Sequence, residues 1–229
     1  SSCMPSPQSG PIGNRRLLTP DVLAFSVELE RPQDFDAGQF MTIEVPGVRG
    51  YRGYSMVNFE RTARRLDFLV KKKPDGAVCA WLFDRTAEGA TVSLFGPLGS
   101  AAFFPSLGKN VLCVAGGSGI AGMMSMLERA RQERYFSQYK GYVFFGVRTF
   151  EDAFYLDELS AYAAEFPDTL RVTIALSDAS VPEGVDRRYP KLAFDCGLVH
   201  EVAARHMKGH YQNIRAYLAG PPPAVDAAI

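Results

Sequence analysis

Side chains suited to binding a diphosphate and a flat heterocycle lie together in the segment Arg52–Asn58, which reads Arg-Gly-Tyr-Ser-Met-Val-Asn. In an extended strand, Arg52 and Tyr54 lie on one side and Gly53 and Ser55 on the other. A planar guanidinium matches a diphosphate, a phenol ring stacks on a flat heterocycle, and a serine hydroxyl donates to a ring nitrogen. For this segment alone, an ordinary strand with an exposed arginine and a packed tyrosine is the simpler interpretation.

The segment Gly76-Ala77-Val78-Cys79 stands at the start of a predicted helix, Val78–Asp84. Free N–H groups and the positive end of the helix dipole make such a helix start a suitable place for a phosphate. A capped helix without any ligand explains the same residues equally well, so this segment gains weight only in combination with others.

A glycine-rich turn at 116–119 (Gly-Gly-Ser-Gly) joins the apolar segment Val111–Ala115 to a predicted helix, Ile120–Glu133. Glycine lets the backbone approach a dinucleotide closely and adopt φ values that other residues resist. The turn is not the G-x-G-x-x-G fingerprint, so a standard Rossmann site is not predicted. Taken alone, the turn is also compatible with a tight connection between a strand and a helix.

Polar residues and a proline run follow the later apolar segments, where the carboxyl ends of parallel strands would lie. Ligands of such sheets bind at those ends. A carboxylate at Asp178 can accept hydrogen bonds from ribose hydroxyls and repels a 2′-phosphate. Each residue also has a simpler role as a surface charge, a turn cap or a strand terminator. The residues are Arg148, Asp152, Tyr155, Ser177, Asp178, Gly220, Pro221 and Pro222.

Two patterns of secondary structure divide the chain. From Arg15 to Leu107, short strands separated by Gly and Pro predict an antiparallel barrel or sandwich, with one helix. From Asn110 onward, strands alternate with helices, which predicts a parallel α/β sheet. We expect a linker over 1–14, a first domain over 15–108 and a second over 109–229. The predicted strands are Val22–Glu30, Phe40–Val45, Gly53–Val57, Leu66–Lys71, Thr91–Phe95, Val111–Ala115, Tyr142–Phe145, Arg171–Leu176 and Ala216–Ala219, and further helices are predicted at Ala153–Glu165 and Leu198–His206.

Composition limits the classes of function. Lys+Arg and Asp+Glu both number 25, which argues against a nucleic-acid-binding protein because such proteins carry a basic excess. No apolar run approaches the roughly 18–20 residues that a membrane helix requires. The four cysteines form no C-x₂-C pair, so we expect no metal site and free thiols in a reducing, cytoplasmic setting.

Together, Arg52–Asn58, Gly76–Cys79, the Gly-Pro-Leu-Gly segment at 96–99 and the turn at 116–119 resemble the ferredoxin–NAD(P)H reductase superfamily. The resemblance implies a six-stranded antiparallel FAD-binding barrel followed by a parallel-sheet, Rossmann-like NAD-binding domain. It implies that Arg52 holds the FAD pyrophosphate, that Tyr54 stacks on the isoalloxazine and that Ser55 lies near flavin N5. The remaining implied FAD residues are Gly53, Leu69, Val70, Lys71, Gly76, Ala77, Val78 and Cys79, and the implied NAD residues are Gly117, Ser118, Gly119, Ile120 and the strand-end residues given above.

Within this superfamily the motifs are most similar to the reductase component of bacterial aromatic-ring oxygenases. That similarity implies hydride transfer from NADH to FAD and delivery of single electrons to a [2Fe–2S] ferredoxin, as a domain or a separate protein, that serves a terminal oxygenase. Asp178 favours NADH over NADPH. The C-x₄-C-x₂-C ferredoxin signature does not occur in this chain, so we expect the reductase portion of a longer protein.

Three positions depart from the family pattern: Cys79 replaces a usual Ser or Thr, Gly122 a usual Pro, and Ala219 a usual Cys. They leave open a flavin-binding electron-relay subunit that does not turn over nicotinamide. A second alternative is a flavohaemoglobin or nitrate-reductase-type module, which shares both motifs but passes electrons to haem.

Overall fold

The computed structural model describes residues 4–219. Contacts between residues divide the chain into two compact units. The first unit contains the chain up to Phe104 together with Ala121–Arg129, and the second contains Pro105–Ile120 and the chain from Ala130 onward. The expected boundary at 108–109 therefore stays a prediction.

The first unit is built on a six-stranded sheet in which all neighbouring strands are antiparallel. The strand order is β4-β3-β6-β1-β2-β5. Its strands are β1 (Ser6–Thr19), β2 (Val22–Asp34), β3 (Phe40–Glu44), β4 (Arg52–Ser55), β5 (Thr62–Lys71) and β6 (Thr91–Leu98), and helix α1 spans Ala77–Phe83.

The sheet curls so that its two edge strands approach each other. The N–H of Val57, just after β4, donates to the Asp67 carbonyl of β5 at 2.8 Å. Inside the curl lie fully buried apolar side chains, among them Phe25 and Phe68, whose rings stack with centroids 5.4 Å apart. This arrangement confirms the six-stranded antiparallel fold expected for the first part of the chain.

Residues 6–14 form part of a strand, so the interpretation of 1–14 as a linker is wrong over that range. Ser6–Pro11 pair with β6, and the strand continues into pairing with β2. Strand pairing uses backbone groups, which a Ser, Pro and Gly composition does not reveal. A Cβ on Gly10 would lie 1.8 Å from the Glu28 carbonyl oxygen, so this glycine is required by a close approach of two strands.

The second unit contains a parallel five-stranded sheet in the order β10-β9-β8-β7-β11. After β7 the chain adds three strands on one side and then returns to place β11 on the other side of β7. The strands are β7 (Asn110–Gly116), β8 (Gly141–Val147), β9 (Leu170–Leu176), β10 (Ala193–Cys196) and β11 (Ile214–Ala219). The helices are α2 (Ile120–Gln132), which both units share, α3 (Leu156–Glu165), α4 (Val185–Arg188) and α5 (Val199–Met207). The parallel α/β prediction is confirmed.

Sequence patterns miss β10 and α4. β10 is an edge strand whose four side chains are all at least partly exposed, so it lacks the apolar run that marks the inner strands. Over residues 4–219, no helix has both the length and the apolar character needed to cross a membrane.

Candidate functional site

Strand β4 presents the Arg-Gly-Tyr-Ser residues at an edge of the six-stranded sheet, paired with β3. Arg52 is exposed, and one of its guanidinium nitrogens donates to the Tyr51 carbonyl at 3.1 Å. Its other guanidinium donors have no partner among residues 4–219 and are available to a diphosphate. A Cβ on Gly53 would lie 3.1 Å from the Phe40 ring, so glycine allows that ring to pack on the strand.

The phenol of Tyr54 is held neutral. The pKa of Tyr54 is raised to about 12, mainly by burial and to a smaller extent by the nearby Cys79, while Arg52 partly opposes the shift. The Phe25 ring meets the Tyr54 ring edge-on with centroids 6.2 Å apart. Tyr54 is therefore a fixed, uncharged aromatic surface that can donate a hydrogen bond but does not act as a base near neutral pH.

The Ser55 hydroxyl has no hydrogen-bond partner among residues 4–219, and its side chain is half-buried. It is therefore available to donate to a ligand. A Cβ on Gly122, near the start of α2, would lie 3.6 Å from Ser55 Oγ. The backbone of α2 therefore lies directly beside this hydroxyl, within the first unit.

The thiol of Cys79 fastens the end of β5 to the start of α1. It accepts a hydrogen bond from the Lys73 N–H and donates to the Lys71 carbonyl, both at 3.3 Å. Cys79 is buried, so its sulfur faces the protein rather than an outside phosphate. The departure from the family's Ser or Thr thus has a structural use that the sequence alone does not reveal.

The start of α1 has unused backbone donors. The first helical hydrogen bond runs from the Ala80 N–H to the Gly76 carbonyl at 2.8 Å, so the amides of residues 77–79 precede the helical ladder. Gly76 provides no side-chain cap, and the first turn contains no acidic residue. These amides therefore fit a phosphate group.

Arg52 and the start of α1 lie at the same end of the sheet. Five antiparallel steps separate β4 from β5, so these two strands run antiparallel to each other. Val57, just after β4, is bonded to Asp67 of β5. Because the two strands run in opposite directions, Arg52 at the start of β4 lies toward the same end of the sheet as Lys71 at the end of β5. The structure thus places Arg52, the end of β5 and the start of α1 at one end of the sheet, and Leu69 and Val70 of β5 are buried.

The glycine turn follows β7 at the point where strand order reverses. Gly117 adopts φ +53°, which favours glycine, and a 3-10 turn at Gly117–Gly119 leads into α2 at Ile120. β7 lies between β8 and β11, and Ala219 pairs with Ala115. Open α/β sheets bind ligands at this kind of reversal, outside the carboxyl ends of the strands.

Arg148 and Asp178 form an ion pair at the ends of β8 and β9. Arg148 Nε donates to Asp178 Oδ2 at 2.6 Å, and the Ser177 hydroxyl donates to Oδ1 at 3.0 Å. The hydrogen bonds from Arg148 and Ser177 lower the pKa of Asp178, while the carboxylate raises the pKa of Arg148. The carboxylate therefore stays ionised near neutral pH and offsets the charge of the arginine.

Other strand-end residues have structural uses. Asp152 Oδ2 accepts hydrogen bonds from the Thr149 N–H at 3.1 Å and from its hydroxyl at 2.9 Å, which closes the turn after β8. Tyr155 adopts φ +61° directly before α3. The expected nicotinamide residues Gly220, Pro221 and Pro222 lie outside the described residues.

Sequence reasoning missed Ser125 and Arg129 of α2. The Ser125 hydroxyl donates to the Asn58 carbonyl at 2.9 Å. Arg129 forms an ion pair with Asp36 at 3.0 Å and donates to the Phe103 carbonyl at 3.2 Å. These contacts join residues that are far apart in the chain, so no local sequence pattern predicts them.

Comparison with known families matches both halves of the chain. Residues 9–103 match the model of an oxidoreductase FAD-binding domain, and residues 113–228 match that of an oxidoreductase NAD-binding domain. These ranges contain the β4 and glycine-turn motifs, respectively.

The relatives include a ferredoxin reductase and reductase components of oxygenase systems. The chain is 32% identical over 217 residues to ferredoxin–NAD(P)(+) reductase CarAd of Metapseudomonas resinovorans, covering 93% of this chain and 61% of the relative. It is 30% identical over 216 residues to the phenol 2-monooxygenase reductase component DmpP of Pseudomonas sp. strain CF600, covering 93% and 57%. The chain thus spans about three fifths of the length of the curated relatives it matches.

A solved structure, the ferredoxin reductase in carbazole 1,9a-dioxygenase, superimposes with a TM-score of 0.80 at 28% identity, covering 98% of this chain and 64% of that one. The structural likeness, the two matched domains and the curated relatives agree. The chain belongs to the ferredoxin–NAD(P)H reductase superfamily, as an oxidoreductase with an FAD-binding domain followed by an NAD-binding domain.

Proposed function

We propose that the chain takes hydride from NADH onto FAD and passes single electrons to a [2Fe–2S] ferredoxin, as a domain or a separate protein, that serves an aromatic-ring oxygenase. The observation that carries the proposal is the succession of an FAD-binding and an NAD-binding match over 9–103 and 113–228. Relatives named as ferredoxin reductases of dioxygenase and monooxygenase systems support the kind of acceptor.

The first unit would hold FAD by its diphosphate and ring. Arg52 and the amides of residues 77–79 would bind the pyrophosphate, because Arg52 uses only one guanidinium nitrogen within the protein, the amides precede the helical ladder, and both groups lie at one end of the sheet. Tyr54 would cover the isoalloxazine with a neutral ring, and Ser55 would donate toward N5. When bound, FAD supplies the chemistry of accepting a hydride and releasing electrons one at a time.

The second unit would hold NADH at the carboxyl ends of its strands. Residues 117–119 would present backbone amides to the diphosphate, whereas the Ile120 N–H already donates to the carbonyls of Gly117 and Ser118. Asp178 would accept hydrogen bonds from the adenosine ribose and repel a 2′-phosphate, since its carboxylate is kept ionised. Its pairing with Arg148 also removes a cation that would otherwise attract that phosphate.

An acceptor in an oxygenase system is favoured over haem because the curated relatives CarAd and DmpP share 32% and 30% identity with the chain. Structures of reductases linked to haem, a cytochrome P450 reductase and two of flavohaemoglobin type, share 15–24% identity with the chain, which shows the fold alone. Relatives act in systems named for phenol and naphthalene but also for propane, so the names support an oxygenase more firmly than an aromatic ring.

The test is electron delivery from the FAD-loaded chain. With NADH as donor, a [2Fe–2S] ferredoxin and ferricyanide should both be reduced, the ferredoxin faster than a haem protein of similar potential. If ferricyanide is reduced but the ferredoxin is not, the proposal that a [2Fe–2S] ferredoxin is the electron acceptor is wrong. If neither acceptor is reduced, the proposal that the chain oxidises NADH is wrong, and a flavin-binding electron-relay subunit that does not turn over nicotinamide is favoured.

A further inference from the structure

A buried hydroxyl on α2 is aimed at the chain segment that follows Ser55. Ser125 is completely buried, and its Oγ donates to the Asn58 carbonyl at 2.9 Å. Both residues belong to the first unit. We propose that Ser125 and Asn58 are positioning residues that fix the Ser55 hydroxyl for hydride acceptance. The role of Ser55 in this inference rests on the proposed function.

The geometry of Ser125 shows a specific use of its hydroxyl. A serine within a helix commonly bonds back to a carbonyl of its own preceding turn. Ser125 instead reaches a carbonyl 67 positions earlier in the chain. Ser160 of α3 provides a contrast, since its hydroxyl oxygen is also buried but has no hydrogen-bond partner.

Asn58 uses its side chain to bind the neighbouring strand. Its amide nitrogen donates to the Arg65 carbonyl at 2.9 Å, and its amide oxygen accepts from the Asp67 N–H at 2.9 Å. The Val57 N–H adds a third bond, to the Asp67 carbonyl at 2.8 Å. These bonds anchor the segment after Ser55 to β5, in the manner of one more strand.

The network continues into the sheet and returns to α2. The Asp67 carboxylate accepts a hydrogen bond from the Ser26 hydroxyl of β2 at 2.8 Å. On the other side, Gly122 brings the α2 backbone so close that an added Cβ would lie 3.6 Å from Ser55 Oγ. Ser55 therefore lies between a segment fixed by Asn58 and a helix fixed by Ser125.

Loss of the Ser125 hydroxyl leaves the part-buried Asn58 carbonyl without this donor, and the segment would relax. Small displacements of groups around a reacting centre lower rates far more than they lower binding. The network is therefore expected to control the rate of flavin reduction rather than the affinity for either cofactor.

The test compares Ser125→Ala with Ser160→Ala, which removes a buried hydroxyl that makes no hydrogen bond. Anaerobic stopped-flow of the FAD-loaded proteins measures the limiting rate of flavin reduction and the Kd for NADH. Ser125→Ala should lower the limiting rate about tenfold with an unchanged Kd, whereas Ser160→Ala should match the wild type. Equal limiting rates in the two variants would overturn the inference.

A second measurement does not depend on activity. Amide hydrogen exchange of the apoprotein should be faster at Val57 and Asp67 in Ser125→Ala and unchanged in Ser160→Ala; unchanged exchange in both would overturn the network. This measurement stands even if wild-type protein is not reduced by NADH, a result that would reject the proposed function instead. If Ser125→Ala does not fold, Ser125→Cys retains a weak donor of similar shape and should show the same effects more weakly.

Discussion

Replacement of Arg129 by alanine is expected to destabilise the first unit, because Arg129 is a largely buried cation with several partners. Its side chain is 12% exposed and pairs at 3.0 Å with Asp36, which is 16% exposed. It also lies over the Phe59 ring, 4.9 Å from the centroid. Removing one member of a buried pair costs about 3–5 kcal/mol, because the other charge stays buried and unpaired.

Some water reaches both groups, so we expect a loss near the lower limit, about 3 kcal/mol. For a chain of this size, that corresponds to a drop in Tm of about 6–12 °C. Arg65→Ala is the matched control, because Arg65 pairs with Asp67 at the same 3.0 Å but is 50% exposed. Its loss should stay below about 1 kcal/mol.

The assay is thermal and urea unfolding followed by the fluorescence of Trp81. This residue is the one tryptophan in the sequence and lies in α1 of the first unit. A double variant, Arg129→Ala with Asp36→Ala, should be less destabilised than the sum of its single variants. Equal losses for Arg129→Ala and Arg65→Ala would refute the reasoning.

Three further predictions follow from single side chains. Asp178→Ser should raise kcat/KM for NADPH relative to NADH, because Arg148 becomes free to bind a 2′-phosphate; an unchanged ratio would contradict this. Tyr54 has a folded-state pKa of about 12, above its usual 10.0, so its contribution to stability, about 2–3 kcal/mol, is complete below pH 10 and is lost as the pH rises toward 12. In denaturant titrations between pH 10 and 12, the free energy of unfolding of Tyr54→Phe should fall less steeply than that of the wild type. Identical pH profiles of the two proteins would contradict the raised pKa of Tyr54. Cys79→Ala should weaken FAD binding more than Cys79→Ser, which can restore both backbone bonds; equal Kd values for FAD by fluorescence titration would exclude the fastening role.

Local pattern was enough to predict the inner strands. Val111–Ala115 is apolar throughout because both faces of a parallel sheet are covered, and Val22–Glu30 alternates apolar and polar residues within the longer strand Val22–Asp34. By contrast, the strand at Ser6–Thr19 is specified by backbone pairing and by the contact of Gly10 with Glu28, which its composition conceals.

In the candidate site, the sequence motifs predicted the two cofactor-binding domains but not the contacts of individual residues. The motifs that resemble the superfamily predicted the FAD- and NAD-binding domains, and the family matches confirm them. The use of individual residues depends on distant partners: Cys79 bonds the backbone at residues 71 and 73, and Asp152 closes a turn. Ser125 and Arg129 gave no signal, because a serine or an arginine in an amphipathic helix is ordinary until its partner is known.

The central claim is hydride transfer from NADH to bound FAD, and anaerobic mixing of the FAD-loaded chain with NADH tests it most directly. The flavin absorbance at about 450 nm should be lost rapidly with NADH and more slowly with NADPH. Retention of that absorbance with both donors, in protein that demonstrably binds FAD, would contradict the account.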